Sequence, residues 1–341
     1  RVFRLSHIRQ GAVFCQRLTH RKVTARPGVD DRPGGVQVWN QLEPAQILVT
    51  SGTSPAFLLA LATILQCGDE VIISDPHYAC YPNFIKFVQG VPVSVPVFEE
   101  DGFQFRPEAI ARKITPRTRA IFINSPSNPT GNLLSVERMR QIAAMAAGTR
   151  SPLIVSDEIY HGLVYEGKEH SILEFTDRAF VLNGFSKLFA MTGLRLGYVI
   201  APPSLVRPMQ KLQQNFFISA NSMVQKAAIA ALKCASEDVA RMKSIYDERR
   251  KFMIGRLRHI GLGITVEPTG AFYVFANAKR YASDSYRLAF DILEKARVGV
   301  TPGIDFGPNG EGYLRFSYAS SMENLAEGMH RLEKYFRDYH P

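Results

Sequence analysis

Residues 180–201 read Phe180-Val181-Leu182-Asn183-Gly184-Phe185-Ser186-Lys187-Leu188-Phe189-Ala190-Met191-Thr192-Gly193-Leu194-Arg195-Leu196-Gly197-Tyr198-Val199-Ile200-Ala201. Two short apolar runs, Phe180 to Asn183 and Gly197 to Ala201, predict strands, and a loop carrying one lysine among apolar residues joins them. Lysine is seldom placed at a buried strand end for stability. Desolvation and a neighbouring cation lower the pKa of such an amine, which makes Lys187 a candidate Schiff-base nucleophile and proton carrier. The same residue also suits a surface lysine whose stem lies along apolar neighbours.

Working outward, the same pattern repeats. Strands are predicted at Ile47 to Thr50, Val71 to Ser74, Val91 to Val95, Ala120 to Asn124 and Leu153 to Ser156. Helices are predicted at Ser54 to Gln66, Tyr78 to Val88, Pro107 to Lys113, Val136 to Ala147, Pro203 to Phe216 and Met223 to Ala235. Alternation of this kind marks an α/β fold around a mostly parallel sheet of seven strands. After Ser236 a long charged helix runs to about His259. Strands at Gly263 to Val266, Phe272 to Phe275 and Tyr313 to Ser317, with helices at Ser285 to Ala296 and from Met322, then read as a smaller α+β unit. The expected division is 1–43, an atypical N-terminal segment; 44–237, a large domain; and 238–341, a small C-terminal domain.

Open α/β sheets bind ligands beyond the C-terminal ends of their strands, and several of these ends carry chemistry. Ser51-Gly52-Thr53-Ser54 opens a helix, so its free N–H groups and hydroxyls suit a phosphate, or simply an N-cap turn. It is neither a Walker loop nor a G-x-G-x-x-G fingerprint. Ser125-Pro126-Ser127-Asn128-Pro129-Thr130-Gly131-Asn132 is a stiff loop that orients the amide of Asn128, or only a rigid turn. Asp157-Glu158-Ile159-Tyr160 ends an apolar strand with a carboxylate, which needs a partner when buried; a cationic ring nitrogen would serve, as would a helix N-cap role. Arg315, inside Tyr313-Leu314-Arg315-Phe316-Ser317, suits the bidentate grip of a carboxylate, or an interdomain salt bridge.

Composition narrows the classes. The chain has 341 residues, 46% of them hydrophobic, enough for a large core and about two domains. Its net charge of +10 suggests nucleic acid until it is located. Seven of the 41 basic residues lie in 1–29, which hold no acid, so residues 30–341 carry 34 basic against 31 acidic. No nucleic-acid partner is expected from so balanced a body. Cys15, Cys67, Cys80 and Cys234 are dispersed and no histidine has metal-ligand spacing, so a reducing, cytoplasmic setting without a metal is expected. Apolar runs such as Ala56 to Leu65 are too short to span a membrane.

Taken in order and spacing, Asn124-Ser125-Pro126-Ser127-Asn128-Pro129-Thr130-Gly131, Asp157-Glu158-Ile159-Tyr160, Ser186-Lys187 with Arg195 eight residues on, and Tyr313-Leu314-Arg315-Phe316-Ser317 resemble the class I/II aminotransferases of the aspartate aminotransferase superfamily. These are fold-type I enzymes dependent on pyridoxal 5'-phosphate, and the resemblance runs from about Ile47 to the C-terminus. It implies that Lys187 is the Schiff-base lysine, that Asp157 pairs with the cofactor's pyridinium nitrogen, and that Tyr160 and Asn128 bond its phenolic oxygen. Tyr78 fits the aromatic that stacks on the ring. Gly52, Thr53, Ser54, Ser186 and Arg195 fit the phosphate contacts, and Asn128 and Arg315 fit the substrate contacts, with Arg315 gripping the α-carboxylate.

The implied reaction moves an amino group between an L-amino acid and a 2-oxo acid by a ping-pong mechanism in a homodimer. A carbon–sulfur β-lyase would use the same residues, and a noncatalytic relative would keep them without turnover. Two departures stand out. Gly184 occupies a position where many relatives carry a hydroxyl, so one phosphate contact is absent. Residues 1–43 lack the arm, glycine-bearing loop and tyrosine that relatives carry there, and no residue matches the partner-subunit arginine that selects dicarboxylic substrates.

Overall fold

A computed structural model describes residues 42–339. The predicted atypical segment 1–43 therefore lies outside the described residues except for Leu42 and Glu43. Seven strands form one sheet: β1 (Ile47–Thr50), β2 (Glu70–Asp75), β3 (Val91–Pro96), β4 (Thr118–Asn124), β5 (Leu153–Asp157), β6 (Ala179–Gly184) and β7 (Gly197–Ile200), in the order β1-β7-β6-β5-β4-β2-β3. Only β7 runs against its neighbours, pairing antiparallel with both β1 and β6. The pairs β2 with β3, β2 with β4, β4 with β5, and β5 with β6 are parallel.

The strands are almost continuously apolar because helices cover both faces. Successive residues alternate between two cores, as strand geometry requires. Ile72, Ile121, Ile123, Ile154 and Val181 meet Met139 and Ile142 of α4 (Val136–Met145). Val71, Ile73, Phe122, Val155, Phe180 and Leu182 meet Phe57 and Leu61 of α1 (Thr53–Ile64) and Met209 of α5 (Pro203–Phe216). Short helices α2 (Tyr81–Phe87) and α3 (Pro107–Ala111) complete the crossovers, and α6 (Ser222–Cys234) leads into α7 (Ser236–Ile260).

A second sheet follows, with strand order β8 (Tyr273–Asn277), β10 (Tyr313–Ser317), β9 (Thr301–Pro302), all antiparallel. Its apolar face packs with α7, α8 (Ser285–Ala296) and α9 (Met322–Arg337). The predicted strand at Gly263 to Val266 does not form. Gly263 makes a single bridge to Asn277, and two residues later the Thr265 N–H is taken by the Glu99 carboxylate, 3.1 Å away, so the chain leaves the sheet.

The predicted helix from Tyr78 starts instead at Tyr81. Pro82 explains the shift, since a residue with fixed φ and no N–H belongs in a helix's first turn. Tyr78 is thereby left on the loop at the end of β2, half-buried.

Candidate active site

The C-terminal ends of β1, β2, β4, β5 and β6 share one edge of the sheet, and because β7 is reversed its N-terminal end lies there too. This topology brings Lys187, which follows β6, and Arg195, which precedes β7, to the same edge although seven residues separate them.

Asp157 is the last residue of β5 and is buried, 6% exposed. Its oxygens meet neutral donors: the Tyr81 hydroxyl donates to Oδ2 at 2.7 Å, and the Ile159 N–H to Oδ1 at 3.2 Å. Burial pushes its pKa up to about 6, against the smaller lowering effect of those hydrogen bonds. The strand ends are tied by Asn124, whose Nδ2 donates to the Asp157 carbonyl at 2.9 Å while its Oδ1 accepts from the Asn128 N–H at 2.8 Å. The loop 125–132 is thus fastened to β5, and Asn128 is held buried at the edge.

The Lys187 amine lies 6.0 Å from the Tyr160 ring centroid and 5.5 Å from that of Phe272. Its pKa is lowered by burial and, further, by the charges of Arg195 and Arg315, with Asp157 acting in the opposite sense. An amine in this setting is a better base and nucleophile at neutral pH than an exposed lysine.

Gly52 caps α1 with φ of 102° and no side-chain cap, leaving the first N–H groups of a twelve-residue helix open. A Cβ at Gly52 would stand 2.6 Å from Nη2 of Arg195, so the glycine is what lets the guanidinium approach the helix N-terminus. Arg195 is itself in the left-handed region, φ 54°, with Nη1 donating to the Thr192 carbonyl at 2.9 Å. Backbone donors of a helix N-terminus and a guanidinium thus lie side by side here, a pairing suited to an anion. Gly184 has no room for a side chain: its Cβ would be 2.9 Å from the Leu196 carbonyl, where β6 pairs with β7.

Arg315 projects from β10. Nη1 donates to Asn128 Oδ1 at 2.8 Å and Nη2 to Thr301 Oγ1 at 3.2 Å. Its guanidinium carbon lies 4.4 Å from the Tyr273 ring centroid and 4.8 Å from that of Phe306, while Nε is buried with no hydrogen-bond partner among the described residues.

The structure therefore brings Lys187, Asp157, Tyr160, Asn128 and Arg315 to one place, with Gly52, Thr53 and Arg195 beside them. Sequence reading passed over two tyrosines. Tyr81, 2% exposed, holds Asp157, and Tyr273, 7% exposed, has its hydroxyl 3.0 Å from that of Tyr160. The His77 backbone N–H donates to the Phe306 carbonyl at 2.8 Å and its ring Nδ1 lies 3.0 Å from the Tyr78 carbonyl, while His161 Nδ1 lies 3.3 Å from Glu158. Among the described residues no group of His, Cys, Asp or Glu could hold a metal, and no helix is long and apolar enough to cross a membrane.

A family model for aminotransferases of class I and II matches residues 37–332. The chain belongs to that family. This class I/II aminotransferase is 42% identical over 298 residues to an aspartate aminotransferase of Pyrococcus horikoshii, covering 86% of this chain and 76% of that protein. It is 40% identical over 296 residues to a (5-formylfuran-3-yl)methyl phosphate transaminase of Methanocaldococcus jannaschii, covering 86% and 75%. The solved structure of an aromatic aminotransferase from Pyrococcus horikoshii OT3 superposes with a TM-score of 0.85 at 36% identity, covering 95% of this chain and 85% of that one. These relatives favour an enzyme dependent on pyridoxal phosphate that transfers amino groups, over a lyase or a noncatalytic relative.

Proposed function

We propose that this aminotransferase works through Lys187 on an L-amino acid and a 2-oxo acid in turn. The observation that carries the reading is a desolvated lysine in the field of a buried carboxylate, Asp157, and of two arginines, Arg195 and Arg315. Two features suit pyridoxal phosphate, the buried acid with neutral hydrogen-bond donors and the bare helix N-terminus against Arg195, and a third, the buried Nε of Arg315 without an acceptor, suits the substrate carboxylate.

In this reading Gly52, Thr53, Ser54, Ser186 and Arg195 would hold the phosphate, Tyr78 would cover the ring, Asp157 would face its nitrogen, and Tyr160 and Asn128 its phenolic oxygen. When bound, the cofactor supplies the electron sink that no side chain offers. The chain's own residues do the rest. Arg315, fixed by Asn128 and Thr301, would hold the substrate carboxylate and so orient the Cα–H bond. Lys187 would attach the cofactor and afterwards carry the proton on its Nζ. Tyr160 and Phe272 would line the space around that amine with apolar ring surface. Relatives named for aspartate, aromatic and furan-phosphate chemistry match this chain at 42%, 38% and 40% identity, so the proposal is confined to the α-amino carboxylate common to amino acids.

The test is the visible spectrum of the protein with pyridoxal phosphate, taken before and after a pool of amino acids and again after a pool of 2-oxo acids. Conversion of the band and its return is the expected result. A band indifferent to every amino acid would overturn the proposal. A second check concerns the phosphate cradle. Gly52→Ala places a methyl group against the Arg195 guanidinium at a φ and ψ that L-residues disfavour, at a cost of about 1–3 kcal/mol. The expected result is an affinity for pyridoxal phosphate about tenfold weaker in a protein that still folds, read by fluorescence titration.

We further propose a cytoplasmic homodimer whose subunits each divide near residue 237. Support for the division comes from the separate apolar clusters of the two sheets. Support for the dimer comes from Phe216, Ile218 and Met223, 73%, 80% and 76% exposed within eight residues of chain, an apolar patch expensive to leave in water. Replacing Phe216 and Ile218 together by Glu is expected to convert the sedimenting species from dimer to monomer; an unchanged mass would remove this patch from the interface.

A further inference from the structure

We propose that Tyr273 is a positioning residue that couples the two halves of the site, backing the hydroxyl of Tyr160 on one side and the guanidinium of Arg315 on the other. The proposal rests on the roles given above to Tyr160 and Arg315. Its source is the place of Tyr273 in the fold. It begins β8, and in the antiparallel pair with β10 it stands opposite Ser317, while Arg315 stands opposite Phe275. Tyr273 and Arg315 are thus diagonal neighbours on one sheet face, a separation that aromatic and long side chains bridge.

The hydroxyl end does different work from the ring. Tyr273 and Tyr160 share one hydrogen bond of 3.0 Å between buried phenols, in which either can donate. A phenol has one proton to give. When Tyr160 gives its own to an acceptor in the site, such as the phenolic oxygen of the cofactor, its oxygen is left to accept from Tyr273. Tyr273 then donates to Tyr160, Tyr160 donates onward, and each bond strengthens the other in a medium of low dielectric. Burial keeps both phenols protonated and able to donate, since it holds their pKa values above the ordinary tyrosine value.

The ring face carries the second task. With the Arg315 guanidinium carbon 4.4 Å from the Tyr273 centroid and 4.8 Å from that of Phe306, the arginine is held against two aromatic rings. A guanidinium so held loses little further freedom on gripping a carboxylate. The charged and titratable groups facing this pair of phenols are Asp157 from the end of β5, Arg315 from β10, Tyr81 and Tyr78 from the segment after β2, Tyr246 from α7, and Lys187 from the loop after β6. All are shared by the variants below, so differences between variants report Tyr273.

Tyr273→Phe keeps the ring beneath Arg315 and removes only the hydroxyl. With the cofactor bound, the midpoint of the pH-dependent change in its visible band is expected to rise by about half to one pH unit. That is the size of one hydrogen bond's net contribution, because a weaker donor to the phenolic oxygen stabilises its anionic form less. KM for the amino acid should change less than about twofold. Tyr273→Leu, which also removes the ring, should add a rise in KM of about tenfold, the scale of one lost cation–π contact.

In a Tyr160→Phe background the shift caused by Tyr273→Phe should vanish, because the hydroxyl then has nothing to back. An unmoved midpoint in Tyr273→Phe, or an equal shift in the presence and absence of the Tyr160 hydroxyl, overturns the proposal for Tyr273 alone. If Tyr160→Phe itself leaves the midpoint unmoved, the role given to Tyr160 fails and this proposal fails with it.

Discussion

Replacing Lys187 by Ala is expected to abolish transamination while leaving the protein folded, with turnover lower by a factor on the order of 10⁴ or more, at the upper end of what a positioned acid–base group contributes. The structure separates the two effects. Lys187 is half-buried and its ammonium form is disfavoured by desolvation and by Arg195 and Arg315. Deleting it removes a charge that the folded state holds at a cost, so the melting temperature of the protein without cofactor should be unchanged or higher. The phosphate cradle at Gly52 and Arg195 remains intact, and the variant should still bind pyridoxal phosphate, now without attachment. Borohydride treatment followed by peptide mapping should place the cofactor on Lys187 in the wild type and on no residue in the variant. Attachment at another lysine, or wild-type turnover by the variant, would end the assignment.

The motifs behind that prediction were legible because they break the rules of their surroundings. A lysine at the end of β6, a carboxylate at the end of β5 and an arginine inside β10 are each costly where they stand, and cost without structural return shows in a one-dimensional pattern. The same logic explains what the pattern hid. Tyr81 and Tyr273 are aromatic residues in apolar stretches, where a core residue and a functional one look alike. What distinguishes them is where the hydroxyl ends: on Asp157 across 76 residues of chain, and on Tyr160 across 113. Such contacts are set by strand order, which local periodicity does not contain.

The alternation of short strands and helices was enough to read seven strands around a parallel sheet. The reversal of β7, which brings Arg195 beside Gly52, leaves no trace in composition. The two-residue β9, Thr301–Pro302, is too short to show a period, and the strand pattern of Gly263 to Val266 is not realised because a side chain from far away, Glu99, takes the N–H that a strand would use.

Asp157→Asn should act in opposite directions on activity and on the stability of the protein without cofactor. Asn keeps the shape and one carbonyl oxygen, so it can still accept from Tyr81 or from the Ile159 N–H, but it carries no charge. In the wild type, burial raises the Asp157 pKa from 3.8 to about 6, so the folded chain holds that proton more tightly than the unfolded chain. Stability therefore falls as pH rises from about 4 to about 6, and stays lowered above it. A rise of that size corresponds to ~3 kcal/mol, which the neutral Asn does not lose. Without cofactor, the variant should be more stable than wild type at about pH 7 by an amount approaching that figure, with the difference disappearing below about pH 4; denaturant melts across this range measure it.

Binding a protonated ring nitrogen inverts the balance, because the carboxylate then gains the opposite charge it lacks. In the loaded enzyme the wild type should be the more stable of the two, and the variant's kcat should fall by about 10²–10³, the scale expected when one member of a buried ion pair is removed. A variant that is no more stable than wild type at neutral pH without cofactor would show that Asp157 is not ionised against its surroundings, and unimpaired turnover would show that it does not face the ring nitrogen.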